Sequence, residues 1–189
     1  MKFHQLLLFI FCFYIIFSCS KNNISDNNYN NSDLKWSMKI PQNWQQIPNQ
    51  IQKLNRKKGN ELLSKEDAGF YKIDDYNSAL NIRKDKFNSF NSAYFKRSEF
   101  SFKKLEQEIK RDKINKYTIA NKYFKTDSTK TEVIQIDGIK FLKYELKSDD
   151  LSNIAIIGII ENYELGVGIK CNNNGRKQIL DNFLNSKFK

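Results

Sequence analysis

Apolar and polar residues alternate through "LKWSMKIPQNW", where Leu34, Trp36, Met38 and Ile40 recur at every second position. That period predicts a half-buried strand, and Pro41 ends it. Residues 51–63 form a weaker helical pattern interrupted by Gly59, and "SALNIRK", at the end of the 69–83 region, predicts a further strand. "SFKKLEQEIKRD" places Phe102, Leu105 and Ile109 at helical spacing, with Ser101 as N-cap and charge on the other faces. Strands are then expected over 117–124, 131–136, 139–146, 154–161 and 164–171. Asp137-Gly138 separates two of them, and an Asp-Gly pair suits the positive φ angles of a two-residue hairpin turn. "IAIIGII" is apolar on both faces, as in a central strand covered on each side. The chain closes with "GRKQILDNFLNSKF", whose Ile179, Leu180, Phe183 and Leu184 form one stripe and whose Asn174 is placed to cap the helix. The pattern predicts an α+β fold, an antiparallel sheet flanked by helices, with no internal repeat.

The first residues follow a different rule. After Lys2, His4 and Gln5, an apolar run from Leu6 to Phe17 stops abruptly at Ser18-Cys19, and polar Asn-rich sequence follows. As a helix the run is roughly 18 Å long, well short of the ~30 Å hydrocarbon core of a bilayer. It has the length of a signal peptide. Ile16-Phe17-Ser18-Cys19 resembles the lipobox of bacterial lipoproteins: a branched aliphatic three residues before the cysteine, a small residue directly before it, and a thiol to accept lipid. Phe17 departs from the Ala or Ser common at that position. The resemblance implies residues 1–18 as a cleaved lipoprotein signal peptide and Cys19 as the lipidation site and mature N-terminus. An uncleaved signal anchor, an ordinary secretory signal and a buried N-terminal helix are the competing readings. Residues 19–33 are then a lipidated cysteine and a disordered tether of roughly 20 Å, and residues 34–189 one globular domain.

Removing residues 1–18 leaves roughly 170 residues, enough for one domain with a substantial core. The chain carries 32 Lys+Arg against 21 Asp+Glu, a net charge of +11 that falls by one when Lys2 leaves. Such a balance suits nucleic acid or an anionic surface. Export and the even scatter of lysines among acidic neighbours argue against nucleic acid, and much of the Asn, Lys and Ile content is compositional. An anionic envelope polymer or lipid headgroup stays a candidate partner for the excess charge. Processing would also remove His4, the chain's one histidine, and Cys12, leaving Cys171 as the mature domain's one free thiol. A disulfide within the chain, Ser-His-Asp or Cys-His catalysis and His-ligated zinc would all be excluded.

"MKIPQNW", the "VIQIDGIKFLKYEL" hairpin, "ELGVGIKC" and a last helix ending "FLNSKF", in that order, resemble the PsbP-like fold over residues 34–188. Ile40-Pro41-Gln42-Asn43-Trp44 is the nearest to a signature, with proline ending a strand and tryptophan packing back on the sheet. The resemblance implies an αβα sandwich, a scaffold used mainly for binding and assembly. It transfers no functional residue.

Candidate chemistry within the domain is sparse. Cys171 shares i, i+2 spacing with Leu165, Val167 and Ile169, which predicts a buried thiol behaving as a small hydrophobe. Gly166-x-Gly168 lies inside an apolar strand, where close packing or a bulge explains it better than a phosphate loop. The pairs Asp74-Asp75 and Asp149-Asp150 read as solvated turns, and "FNSFNSAYF" (87–95) as a core-packing segment or a partner-binding loop. No catalytic, cofactor-binding or metal-binding residue is assigned. The expected function is a non-enzymatic binding or assembly module, anchored by lipid in the bacterial cell envelope and facing the periplasm, with a protein or anionic envelope component as partner. An immunity or secretion-chaperone protein for a toxin is the alternative, and an envelope-polymer hydrolase the disfavoured third.

Overall fold

A computed structural model describes residues 22–25, 27–48, 50–52, 54, 57, 76–97, 102–123 and 125–189. The expected signal peptide, Cys19, the Ser101 N-cap and Asp74-Asp75 lie outside the described residues. So does most of the 51–63 helix, of which residues 51, 52, 54 and 57 are described and helical.

The main sheet is built on a meander of four strands: β8 (Glu132–Ile136), β9 (Ile139–Ser148), β10 (Leu151–Ile160) and β11 (Tyr163–Asn172). Each connection has two residues, and the first of each pair, Asp137, Asp149 and Glu161, has a positive φ of 48°, 50° and 50°. At the first turn Gly138 follows at 84°, the mirror-image geometry expected of Asp-Gly. Beyond β11 the sheet continues through β6 (Ser89–Lys96), β5 (Asn77–Arg83) and β4 (Gln45–Gln46), while β7 (Asp127–Ser128) pairs with the far end of β9. Every pairing is antiparallel. A second sheet joins β1 (Asn22–Ser25), β2 (Asn28–Asn31), β3 (Trp36–Lys39) and β12 (Lys187–Phe188) in that order.

Each face of the main sheet has its own apolar layer. Phe90, Phe141, Ile156, Leu165, Val167 and Ile169 pack with α2 (Asn173–Leu184) and the small sheet. On the other face, Leu142, Tyr144 and Leu146 meet Leu105 and Ile109 of α1 (Phe102–Tyr123), with Ala155, Ile157 and Ile159 of β10 alongside. The central position of "IAIIGII" is thereby explained. Trp36 ties the small sheet to α2, its ring 5.9 Å from Phe183, 5.0 Å from Tyr29 and 6.1 Å from Phe188.

Several expectations are corrected. The disordered stretch expected over residues 19–33 is instead partly strand: β1 and β2 occupy residues 22–25 and 28–31, and Tyr29 and Asn31 are buried. The Asn side chains act as structural donors and acceptors, since Asn31 Nδ2 donates to the Tyr29 hydroxyl at 3.2 Å and its Oδ1 accepts from Leu34 N at 2.9 Å. Residues 117–123 extend α1 and form no strand, because Tyr117 continues the inward stripe and packs on the α1 core layer. The cap of α2 is Asn172, whose Oδ1 accepts from Gly175 N at 3.0 Å, and Asn174 lies inside the helix. Leu184 is exposed and outside the buried stripe. The 87–95 segment is strand β6 over its length from Ser89, with Phe90, Ser92 and Tyr94 buried, so it packs the core. Gly166 and Gly168 sit in regular register with no bulge, and a Cβ at 168 would meet nothing within 4 Å. Close packing requires glycine instead at Gly158, where a Cβ would lie 2.3 Å from the Phe141 ring, and at Gly175, where it would lie 1.9 Å from Asn88 Oδ1.

Candidate functional site

Cys171 ends the buried face of β11 and is 0% exposed. Burial pushes its thiol up to about 11, with Arg176 pulling down and Glu145 pushing up. A thiol held so far above neutrality is a poor nucleophile, as its strand position predicted. Asp149 and Asp150 are exposed in the β9–β10 turn. Among the described residues, no group of three or more His, Cys, Asp and Glu is placed to hold a metal ion, and no helix is long and apolar enough to cross a membrane.

Several polar groups that depart from ordinary behaviour join two layers. Glu145, buried on β9, faces α2 and receives Arg176 Nη2 at 2.9 Å and Nε at 3.4 Å. Burial, the largest single influence, raises its pKa, but hydrogen bonds from Arg176 and Ser152 together with the charges of Arg176 and Lys147 outweigh it and hold the carboxyl below the ordinary glutamate range. The same residue's main chain is clamped by Thr129, whose Oγ1 accepts from Glu145 N and whose N donates to Glu145 O, both at 2.9 Å.

A second link lies on the α1 side. Arg97, just after β6, reaches Glu108 of α1 at 2.7 Å and Glu164 of β11 at 2.8 Å. Burial pushes Glu164 up, the Arg97 charge draws it back and the Glu108 charge pushes it up again, leaving it at about 7. Nearby on the same helix, the Tyr144 hydroxyl donates to Asp112 Oδ2 at 2.9 Å. The third link ties the β2–β3 turn to the main sheet, where the Tyr94 hydroxyl donates to Asp33 Oδ2 at 2.6 Å. Burial first, and then this hydrogen bond, push Tyr94 up to about 12.

These links were not visible in the sequence, because their partners stand far apart in the chain and charged residues are common throughout. The available signal for Glu145 was its place in a strand whose neighbours on both faces are apolar.

No family model matches the chain, and no curated protein is significantly similar to it in sequence. The solution structure of a cyanobacterial PsbP, CyanoP from Synechocystis sp. PCC 6803, superposes with a TM-score of 0.55 at 9% identity, covering 91% of this chain and 98% of that one. The fold is PsbP-like. At that identity the likeness is one of architecture, so the PsbP-like scaffold is established and its use by this chain is a separate question. The α+β order expected from the sequence agrees with it: an antiparallel sheet with a helix on each face.

Proposed function

We propose that this chain is a lipid-anchored cell-envelope protein whose PsbP-like domain serves as a non-enzymatic binding or assembly module. The observation that carries the reading is where the domain's polar chemistry is spent. Glu145 with Arg176, Glu108 with Arg97 and Asp33 with Tyr94 each fasten one layer to another, and the thiol of Cys171 is sealed in the core. A rigid body fastened in this way suits presenting a surface. The location is supported by an apolar run too short to span, ending at a thiol with lipobox spacing. A diacyl or triacyl cysteine would hold firmly, since burial contributes about 0.8 kcal/mol per methylene and one chain alone binds marginally.

The test is co-purification. The full chain is crosslinked in intact cells, solubilised in mild detergent and isolated, with a Cys19→Ala form as the control for location. A stoichiometric protein partner lost in the control supports the reading. Turnover of an envelope polymer by the purified chain would overturn it.

A further inference from the structure

We infer that the outer face of α1 is a docking ridge for the headgroups of an anionic lipid bilayer. The inference rests on the proposed membrane location for its setting, and on the helix itself for its substance. Between Phe102 and Tyr123, α1 carries seven basic and three acidic residues, and these are sorted by face. Inward-leaning charges are engaged: Glu108 with Arg97, Asp112 with Lys116 and Tyr144, and Lys113 with the Thr129 carbonyl. The outward face carries Lys103, Lys110, Arg111 and Lys122 with Glu106 as the acidic residue of α1 among them, all exposed. Compositional lysine richness gives no such sorting. The exposed charges of α2, Lys177 and Asp181, balance one another.

Lys103, Lys110, Arg111, Ile114 and Thr118, at i, i+7, i+8, i+11 and i+15, share one face of the helix within an arc of about 100°. Lys103 to Lys122 extends about 28 Å, the breadth of several lipid headgroups. In the middle of this ridge stands Ile114, 57% exposed among cations. A soluble polyanion would engage the charges and gain little from the isoleucine. A bilayer engages both, headgroups meeting the cations and the apolar side chain entering the boundary beneath them. The ridge therefore fits a lipid surface better than an anionic polymer. With a single exposed apolar side chain, docking through it is weak and reversible, and adds orientation to whatever holds the chain at the membrane.

The experiment uses the full-length protein purified from membranes and placed in two kinds of vesicle, phosphatidylcholine alone and phosphatidylcholine with phosphatidylglycerol, each with a nitroxide-headgroup lipid. A fluorophore is attached to Thr118→Cys, with Lys177→Cys on α2 as the comparison; Cys171, wholly buried, stays unlabelled. Quenching at position 118 is expected to rise at least fivefold in the anionic vesicles, while position 177 is unchanged. Each basic side chain is worth roughly fivefold at an anionic surface, so Lys103→Gln/Lys110→Gln/Arg111→Gln weakens docking roughly a hundredfold and removes the difference, as does high salt. Ile114→Ser lowers it several-fold at unchanged charge. Equal quenching at 118 in both vesicles overturns the ridge, as does full retention in Ile114→Ser together with equal binding of soluble polyphosphate. Mass spectrometry of the purified chain reads Cys19 acylation separately. A chain that is acylated but unquenched refutes the ridge alone, and a chain that is quenched but unacylated refutes the anchor alone.

Discussion

Replacing Arg176 by Met removes the guanidinium that faces Glu145 and leaves the rest of α2 intact. The carboxylate is held on β9 with its side chain only 4% exposed, by two hydrogen bonds from one planar fork, at 2.9 and 3.4 Å. Its remaining company is Ser152 and the ammonium of Lys147, 4.0 Å away. Breaking a buried pair from one side costs about 3–5 kcal/mol, because the orphaned charge stays behind. The Arg176 side chain is 35% exposed, so solvent screens part of the attraction, and the low end, about 3 kcal/mol, is expected. For a domain of this size that corresponds to roughly 6–12 °C in Tm. The assay is urea and thermal unfolding of wild type, Arg176→Met, and Arg176→Met/Glu145→Leu. The double variant, with no stranded charge, should recover most of the loss. The pH dependence gives an independent arm. Folding lowers the Glu145 pKa, so the pair's contribution is complete above the ordinary glutamate range and is lost as pH falls through the lower folded value. The gap between wild type and Arg176→Met should therefore narrow in acid. A single variant that loses under about 1 kcal/mol, or a gap constant down to pH 3, would refute the claim that this pair fastens α2 to the sheet.

Gly158→Ala drives a Cβ to 2.3 Å from the Phe141 ring, which Phe183 and Phe188 already hem in, so a loss of about 1–3 kcal/mol is expected. Gly168→Ala, with nothing within 4 Å, should be neutral or stabilising by about 0.5–1 kcal/mol; equal effects at the two sites in denaturant melts would contradict the packing account. Glu164 holds its proton up to about 7 when folded but releases it at ordinary glutamate pH when unfolded. Stability should therefore fall as pH rises between those limits. Glu164→Gln imitates the protonated form, so its advantage over wild type should grow from pH 5 to pH 8; parallel stability profiles would show that Glu164 does not titrate there.

Much of the main sheet could be read from the chain because its faces differ chemically. Leu165, Val167, Ile169 and Cys171 alternate with polar residues or glycine, and Asp137-Gly138 marks a turn whose backbone few other pairs adopt. Where local preference and tertiary packing disagreed, packing won. The end of α1 is rich in Tyr, Thr and Ile, residues that favour strands, yet it stays helical because Tyr117 continues the contact with the sheet below. In β2 the difficulty was the reverse. An Asn-rich stretch looks like solvated coil, and only Tyr29, placed beside Trp36 in the folded chain, draws it into the small sheet. The Arg97 ion pairs were hidden for a third reason: Arg97 meets Glu164 through the pairing of β6 with β11 and Glu108 across to α1, neither of which alternation alone specifies. The burial of Cys171 was legible in its place on the apolar face of β11.

The account's central claim is a domain brought to the envelope by lipid at Cys19. The direct measurement is radiolabelled palmitate incorporation, with membrane fractionation, for the full chain and for Cys19→Ala. The account predicts label and membrane association in the first and the loss of both in the second. Label and association that persist in Cys19→Ala would contradict it.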